Sequence, residues 1–184
     1  MDDIARELGI SKKTIYQFFE DKNSLVNAVA EFAFNCDQKE MEAITALAKD
    51  PIDEVVRCSE FMRVSMAGMN PSLIYDFRKY HPSAWAVFQE YKNSYVLSMI
   101  RQNLNQGVAQ GFYRTDMNLE VMARFRLEQV EMGLNNDIFP PEKFDLIAVQ
   151  LELIHHFLRG ILTPNGHKLY EQYFKQESIN SHNF

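Results

Sequence analysis

Residues 1–19, MDDIARELGISKKTIYQFF, carry the most informative spacing in the chain. Ile4, Ala5 and Leu8 fall on one face of a short helix, and Gly9 follows as the residue able to take the left-handed backbone that ends it. Ser11 offers a side-chain oxygen to cap a second short helix, in which Ile15 points inward and Lys12, Lys13, Thr14, Tyr16 and Gln17 take the remaining positions. Helix, glycine turn, capped helix is the layout of a helix-turn-helix, whose second helix enters a DNA major groove by its N-terminal residues. Ile4, Ala5, Leu8, Ile10, Ile15, Phe18, Phe19 and Leu25 are expected to form the small core that sets the angle between the two helices.

Beyond this stretch the periodicity stays helical and no alternating run is bounded by hairpin turn pairs, which predicts an all-α protein. Breaks at Gly9, Glu20-Asp21, Asp50-Pro51, Asn70-Pro71, His81-Pro82, 111–116, 139–141 and Thr163-Pro164 divide it into about nine helices. One of these is long. From Lys22 to Leu47 the apolar positions Leu25, Val29, Phe32, Cys36, Ala43 and Leu47 recur at threes and fours, and at 1.5 Å per residue the helix spans roughly 40 Å, enough to join a head to a body. The expected division is a head with its connecting helix at 1–48 and a C-terminal domain at 49–184.

The 184 residues suit one domain with a small appendage, and composition is ordinary for a globular chain, with 46% apolar and 24% charged residues. No apolar run approaches a membrane span, and the acidic start lacks the basic and apolar regions of a secretory signal, so a cytoplasmic location is expected. Cys36 and Cys58 make no CxxC pair and read as reduced, mostly buried thiols. The net charge is −6, so any DNA contact has to come from a local patch. Within 1–30 four cations face five acids, which requires the cations to be segregated onto one side.

The string MDDIARELGISKKTIYQFFEDKNSLVNAVAEF closely resembles the DNA-binding head of the tetracycline-repressor (TetR) family of bacterial transcription regulators. The segment QGVAQGFYRTDMN is similar to that family's helix end and turn before its last helices. The resemblance implies a homodimer that binds pseudo-palindromic, double-stranded operator DNA and is released by a small-molecule effector held in the C-terminal body. It places Ser11 to Gln17 on the recognition helix: Ser11 and Thr14 toward phosphates, Lys13 and less directly Lys12 and Gln17 toward base edges, Tyr16 on the sugar-phosphate backbone and Lys22 on a phosphate. Outside such a motif the same lysines would read as a solvated face. Family members carry another helix before these two, so the chain is expected to be an N-terminally shortened form, with Ile4, Leu8, Ile15, Phe18 and Phe19 partly uncovered.

Two features of the body bear on the effector and the dimer. Residues 83–110 show one stripe of Ala84, Trp85, Phe88, Tyr91, Tyr95 and Met99 and another of Leu97, Ile100, Leu104 and Val108. With Phe61, Met62, Met66, Met69, Tyr75 and Phe77, the first stripe is read either as plain core or as an adaptable cavity for an apolar or aromatic effector. In 142–162, Phe144, Ile147, Leu151, Ile154, Leu158 and Ile161 make a coiled-coil-like seam beside a second stripe of Leu146, Val149, Leu153 and Phe157. A helix striped twice has to be covered twice, and the resemblance supplies a second subunit, packed here and on the preceding helix through Leu119, Met122, Arg126 and Val130.

No metal site or cofactor is expected. Glu152, His155 and His156 lie within one turn, but adjacent histidines diverge by ~100° and only one can share the glutamate's face. His81, His167 and His182 sit near helix ends or the tail. No Walker loop, GxGxxG, HExxH, GxSxG or EF-hand pattern is present, so no enzyme is expected. The rival reading is a helical small-molecule-binding or interaction protein that has lost DNA binding.

Overall fold

The computed structural model describes residues 1–66, 70 and 73–180, with side chains as far as residue 173 apart from Ile74. Met69 and His182, both named from the sequence, lie outside the described residues. The helices are α1 (Asp2–Glu7), α2 (Lys12–Ile15), α3 (Lys22–Leu47), α4 (Pro51–Met66), α5 (Leu73–Tyr80), α6 (Pro82–Tyr91), α7 (Leu97–Ala109), α8 (Leu119–Gly133), α9 (Leu146–Ile161) and α10 (Pro164–Asn180). A five-residue π turn, Lys92–Val96, joins α6 to α7 without a break. Counted as continuous rods, the described helices number nine, as expected, and the fold is all-α.

Local chemistry accounts for the boundaries. Asp21 caps α3 by accepting from the Ser24 amide while Ser24 Oγ returns to the Asp21 backbone, a reciprocal capping box. Asn118 and Asp145 cap α8 and α9 in the simpler way, each accepting one amide. Gly111, at φ +75°, turns the chain after α7 so that Tyr113 folds back over Gly107, where a side chain would overlap its ring.

The main core gathers Ile52, Leu97, Leu104, Tyr113, Ala123, Leu127, Phe157, Leu158, Ile161, Leu162 and Tyr170 from α4, α7, α8, α9 and α10. At its centre the buried Tyr113 hydroxyl donates to the Pro51 carbonyl and Asn103 Oδ1, and Asn103 donates to Glu54. Thr45 of α3 donates to the same Glu54, which ties the connecting helix to the body. A second, smaller core of Ala30, Phe77 and Ala84 sits where α3 meets α5 and α6.

Three expectations change. In α3 the packed side is Val26, Ala30 and Phe34, whereas Val29, Phe32 and Leu47 face solvent and Cys36 is exposed. The periodicity named a stripe correctly in period but not in phase: the side that α5 and α6 cover, through Phe77 and Ala84, is the one bearing Val26, Ala30 and Phe34. The other thiol, Cys58, is half-buried, and burial pushes it up to about 12. Of the eight residues expected to form the small head core, only Ala5 and Ile15 are buried; Phe19 and Leu25 are half-buried, and Ile4, Leu8, Ile10 and Phe18 are exposed, Phe18 at 77%. Last, Phe144 precedes α9 rather than starting its stripe, and Ile154, Leu158 and Ile161 are buried in the chain's own core.

Candidate functional site

The head is built by backbone chemistry around Gly9. At φ +64° it lets the Ile10 amide reach the Ala5 carbonyl and the Gly9 amide the Arg6 carbonyl, closing α1. Ser11 Oγ accepts from the Thr14 amide at 3.0 Å and lies 2.8 Å from Thr14 Oγ1. Both hydroxyls are thus engaged at the N-terminus of α2. Ile15 is buried and anchors the helix, which leaves Lys12, Lys13, Tyr16 and Gln17 exposed around it. Lys22 is exposed in the first turn of α3.

The three head lysines are not equivalent. Lys12 Nζ donates to Asp2 at 3.0 Å, and this bond holds the Asp2 carboxyl below its ordinary range. Arg6 is bound to Asp3. The two acids of the first turn of α1 therefore draw off two cations, and Lys13 and Lys22 stand out with Tyr16 and Gln17 as the solvent-facing set. That set offers two ammonium groups, a phenol and an amide, suited to phosphates and base edges.

The head touches the body at a point the sequence did not single out. His81, between α5 and α6, places Nδ1 2.9 Å from Asn23 Oδ1, one residue past Lys22. Farther along α3, Phe34 stacks on Tyr91 with centroids 4.9 Å apart and lies 5.9 Å from Phe88. Tyr91 stacks in turn on Tyr95, whose hydroxyl donates to the Gln38 carbonyl, and burial pushes Tyr95 up to about 12. This aromatic seam joins α3 to α6 and the π turn, and all of it but Phe34 consists of side chains expected from the sequence to line an effector cavity.

That assignment needs correction. Phe88, Tyr91 and Tyr95 are packed against Phe34 and Gln38, and Phe77 belongs to the smaller core. Phe61, Met62 and Met99 line neither cavity described here. Space of ligand size lies on the other side of α6. A cavity of about 700 Å³ opens between α5, α6 and α8, with Tyr75, Trp85, Phe125, Gln129, Met132 and Leu134 in its walls. Only Tyr75 and Trp85 come from the expected set. A second space of about 350 Å³, reached by Met66, Phe139, Phe144 and Ile147, shares Asn136 with the first.

The larger cavity carries charge as well as apolar surface. Arg78, Lys79 and Asp137 lie in its lining, and Lys79 is held to the Tyr75 hydroxyl. Glu128 and Glu131 belong to the same wall and both bind Lys92, which the π turn buries behind them. Burial pulls Lys92 downward, but the bonds to Glu131 and Glu128 outweigh it and leave the ammonium above its ordinary range. Gln129 is 4% exposed and its Oε1 has no donor among the described residues.

Of the expected subunit-contact residues, Arg126, Ile154, Leu158 and Ile161 are buried inside the chain, while Leu119, Met122, Val130, Ile147 and Leu151 are half-buried and Phe144 is exposed. The large apolar groups that α8 turns outward are Val121 and Phe125, neither of them singled out from the stripes. Within α9, Glu152 and His156 are exposed, and His155 places Nδ1 2.7 Å from the Tyr170 hydroxyl. Among the described residues no three His, Cys, Asp or Glu side chains gather as a metal-binding group, and no helix is long and apolar enough to cross a membrane.

Comparison with known proteins bears on both parts of the chain. Residues 1–29 match the sequence model of the family described as "Bacterial regulatory proteins, tetR family". An uncharacterized HTH-type transcriptional regulator, YvaF of Bacillus subtilis, is 31% identical over 86 residues, and the match spans 46% of this chain and 45% of that protein. The chain thus matches less than half the length of that relative. A TetR-family regulator from Agrobacterium tumefaciens has the same fold at a TM-score of 0.73, with 15% identity, over 88% of this chain and 86% of that one. The Bacillus subtilis regulator FadR, in complex with stearoyl-CoA, gives a TM-score of 0.69 at 15% identity, over 87% of each chain. The chain is thus similar to the TetR family of bacterial regulatory proteins in the sequence of its first 29 residues, and its fold is that of TetR-family regulators.

Proposed function

We propose that this chain is a ligand-responsive DNA-binding transcriptional regulator, not an enzyme, that grips a pseudo-palindromic operator as a homodimer and lets go when a small effector with an apolar or aromatic body enters the cavity beside Trp85. The observation that carries this reading is the seam of Phe34, Tyr91 and Tyr95. It packs the helix bearing Lys22 directly against the rod that bears Trp85, so that a shift of α6 is passed to the head through ring contacts.

In this reading Lys13, Tyr16, Gln17 and Lys22 meet the DNA directly, with Ser11 and Thr14 presenting the N-terminus of α2, while Lys12 contributes only when its bond to Asp2 opens. The homodimer forms through the outward faces of α8 and α9, with Val121, Phe125, Leu151 and Phe144 as its apolar contacts. The FadR relative held stearoyl-CoA in its structure, which supports effector binding in this body. An effector acts only through a difference in affinity between the DNA-gripping and released forms.

The test is fluorescence anisotropy with the DNA flanking the chain's own gene, with and without candidate effectors. Binding that is saturable, sequence-selective and weakened by one class of small molecule supports the reading. No preference for that DNA over a scrambled duplex would leave the rival, a helical small-molecule-binding or interaction protein, in its place.

A further inference from the structure

The connection between α8 and α9, residues 134–145, is folded on itself. The Asn135 carbonyl accepts the amides of Ile138 and Phe139, and Asn135 Oδ1 accepts that of Asp137, so the first half is wound into turns. The Pro140 carbonyl does the same for Lys143 and Phe144, and the rings of Phe139 and Phe144 meet edge to face with centroids 5.5 Å apart. A folded connection of this kind has two sides. Leu134, Asn135, Asn136 and Asp137 stand in the wall of the large cavity, and Asn136, Phe139, Pro141 and Phe144 in that of the smaller space. Among the described residues, Asn136 alone lines both.

The two spaces differ in chemistry. Arg78, Lys79, Glu128, Glu131 and Asp137 put charge of both signs into the wall of the larger one, around the rings of Trp85 and Phe125. The smaller is walled by Met66, Phe139, Phe144, Leu146, Ile147 and Val149. Its two charged residues, Lys143 and Asp145, are exposed, and Asp145 is taken up with capping α9 at the Ala148 amide. Gly133, the last residue of α8, adds only backbone there, since a Cβ on it would lie 2.5 Å from Gln150 Nε2. A polar chamber and an apolar one therefore adjoin at Asn136. Such a pair sorts a ligand by polarity: apolar surface gains from leaving water, and a polar head loses by following it.

We propose that the smaller space is a tail site of the effector, entered past Asn136, and that the effector is an elongated amphipathic molecule. Its polar head stays in the charged chamber beside Trp85, and its apolar chain runs along Met66, Phe144 and Ile147. This rests on the reading of the larger cavity as an effector site and adds a second compartment to it. Asn136 then sets which tails are admitted, because a larger side chain at that position fills the joint between the two spaces.

The experiment uses the full chain and its single tryptophan, Trp85, which lines the larger cavity and not the smaller. Bromine quenches tryptophan only at short range, so dodecanoate brominated next to its carboxyl is compared at saturation with dodecanoate brominated at its far end. Calorimetry gives the affinities of octanoate, dodecanoate and the matching alcohols for the parent, Asn136→Phe and Ile147→Phe. The expected result is strong quenching from bromine beside the head and weak quenching from bromine at the tail. Dodecanoate should bind the parent roughly tenfold or more tighter than octanoate, each fully buried methylene adding about fourfold. Asn136→Phe and Ile147→Phe should erase most of that gain while leaving octanoate affinity near the parent's, which also shows that the variants are folded. Tail quenching as strong as head quenching, or a chain-length gain that survives both substitutions, overturns the proposal while leaving the effector site standing. Should both variants lose octanoate as well, the quenching comparison on the parent decides between these outcomes. Failure of acids and alcohols alike to bind overturns the tail site, and release of DNA by other molecules in the anisotropy test then decides whether the effector reading survives.

Discussion

Phe34 and Tyr91 lie nearly parallel, 16° between their planes and 4.9 Å between centroids, on two helices whose sequence positions are far apart. Aromatic pairs of this kind contribute about 0.5 to 1.5 kcal/mol beyond the area they bury. Phe34→Leu should therefore lower stability by about 1 kcal/mol in urea unfolding. It should also blunt the effect of an effector on DNA affinity while leaving DNA affinity without effector near that of the parent. Undiminished release in this variant would show that the seam is not the route from cavity to head.

Lys13 and Lys12 should separate in a salt titration of operator binding. Lys13→Ala is expected to cost about 1 to 3 kcal/mol with relaxed preference at one base pair if it reads a base, or to reduce the salt slope by about 1 if it meets a phosphate. Lys12→Ala should cost less, because Asp2 already occupies its ammonium. A larger loss from Lys12 than from Lys13 would reverse the assignment.

A methyl group at residue 107 has nowhere to go but into the ring of Tyr113, whose hydroxyl is fixed to Pro51 and Asn103. Gly107→Ala should destabilise the body by about 1 to 3 kcal/mol through overpacking, outweighing the better helix propensity of alanine. Thermal melts of the two proteins decide it, and a variant as stable as the parent would mean that Tyr113 has another place to sit.

His155 gives a pH dependence of known sign. Burial, with Arg159 adding to it, holds the imidazole below its ordinary 6.5 against a smaller opposing pull from Glu152. The unfolded chain therefore takes up a proton near that pH and the folded one resists until lower, so stability is present above it and falls as pH drops through it. Between about pH 7.5 and 5.5 the parent should lose more melting temperature than His155→Gln, which keeps a bond to the Tyr170 hydroxyl but does not titrate. Parallel curves for the two would remove His155 from the account.

The head was legible in sequence because its geometry is local: Gly9, the Ser11 cap and the inward Ile15 are set by neighbours within a few residues. The long connecting helix and the turn at Gly111 were legible for the same reason. The body's stripes gave helices but not their partners. A stripe of Trp85, Phe88, Tyr91 and Tyr95 looks the same whether it lines a void or meets Phe34, and Phe34 itself lay outside the stripe chosen for α3. On α9 two stripes competed, and which one faced inward depended on α4 and α8, whose placement no spacing reports. Gln129 carried no signal at all, since a glutamine between apolar residues is unremarkable until its oxygen is found without a donor. Arg126 was singled out, but for a subunit contact, whereas the structure buries it inside the chain.

The π turn at Lys92–Val96 explains why a single rod served two masters. Accommodating one residue more than the α pitch allows rotates everything downstream by ~100° about the rod axis. Upstream, the rod shows Phe88 and Tyr91 to α3; downstream, it shows Leu97 and Leu104 to the main core. The two directions are geared to each other by one surplus residue, like cogs cut out of phase on a common shaft. Deleting that residue would leave composition and helix propensity almost untouched, yet half of the rod would be mistimed against whichever neighbour it was meant to engage.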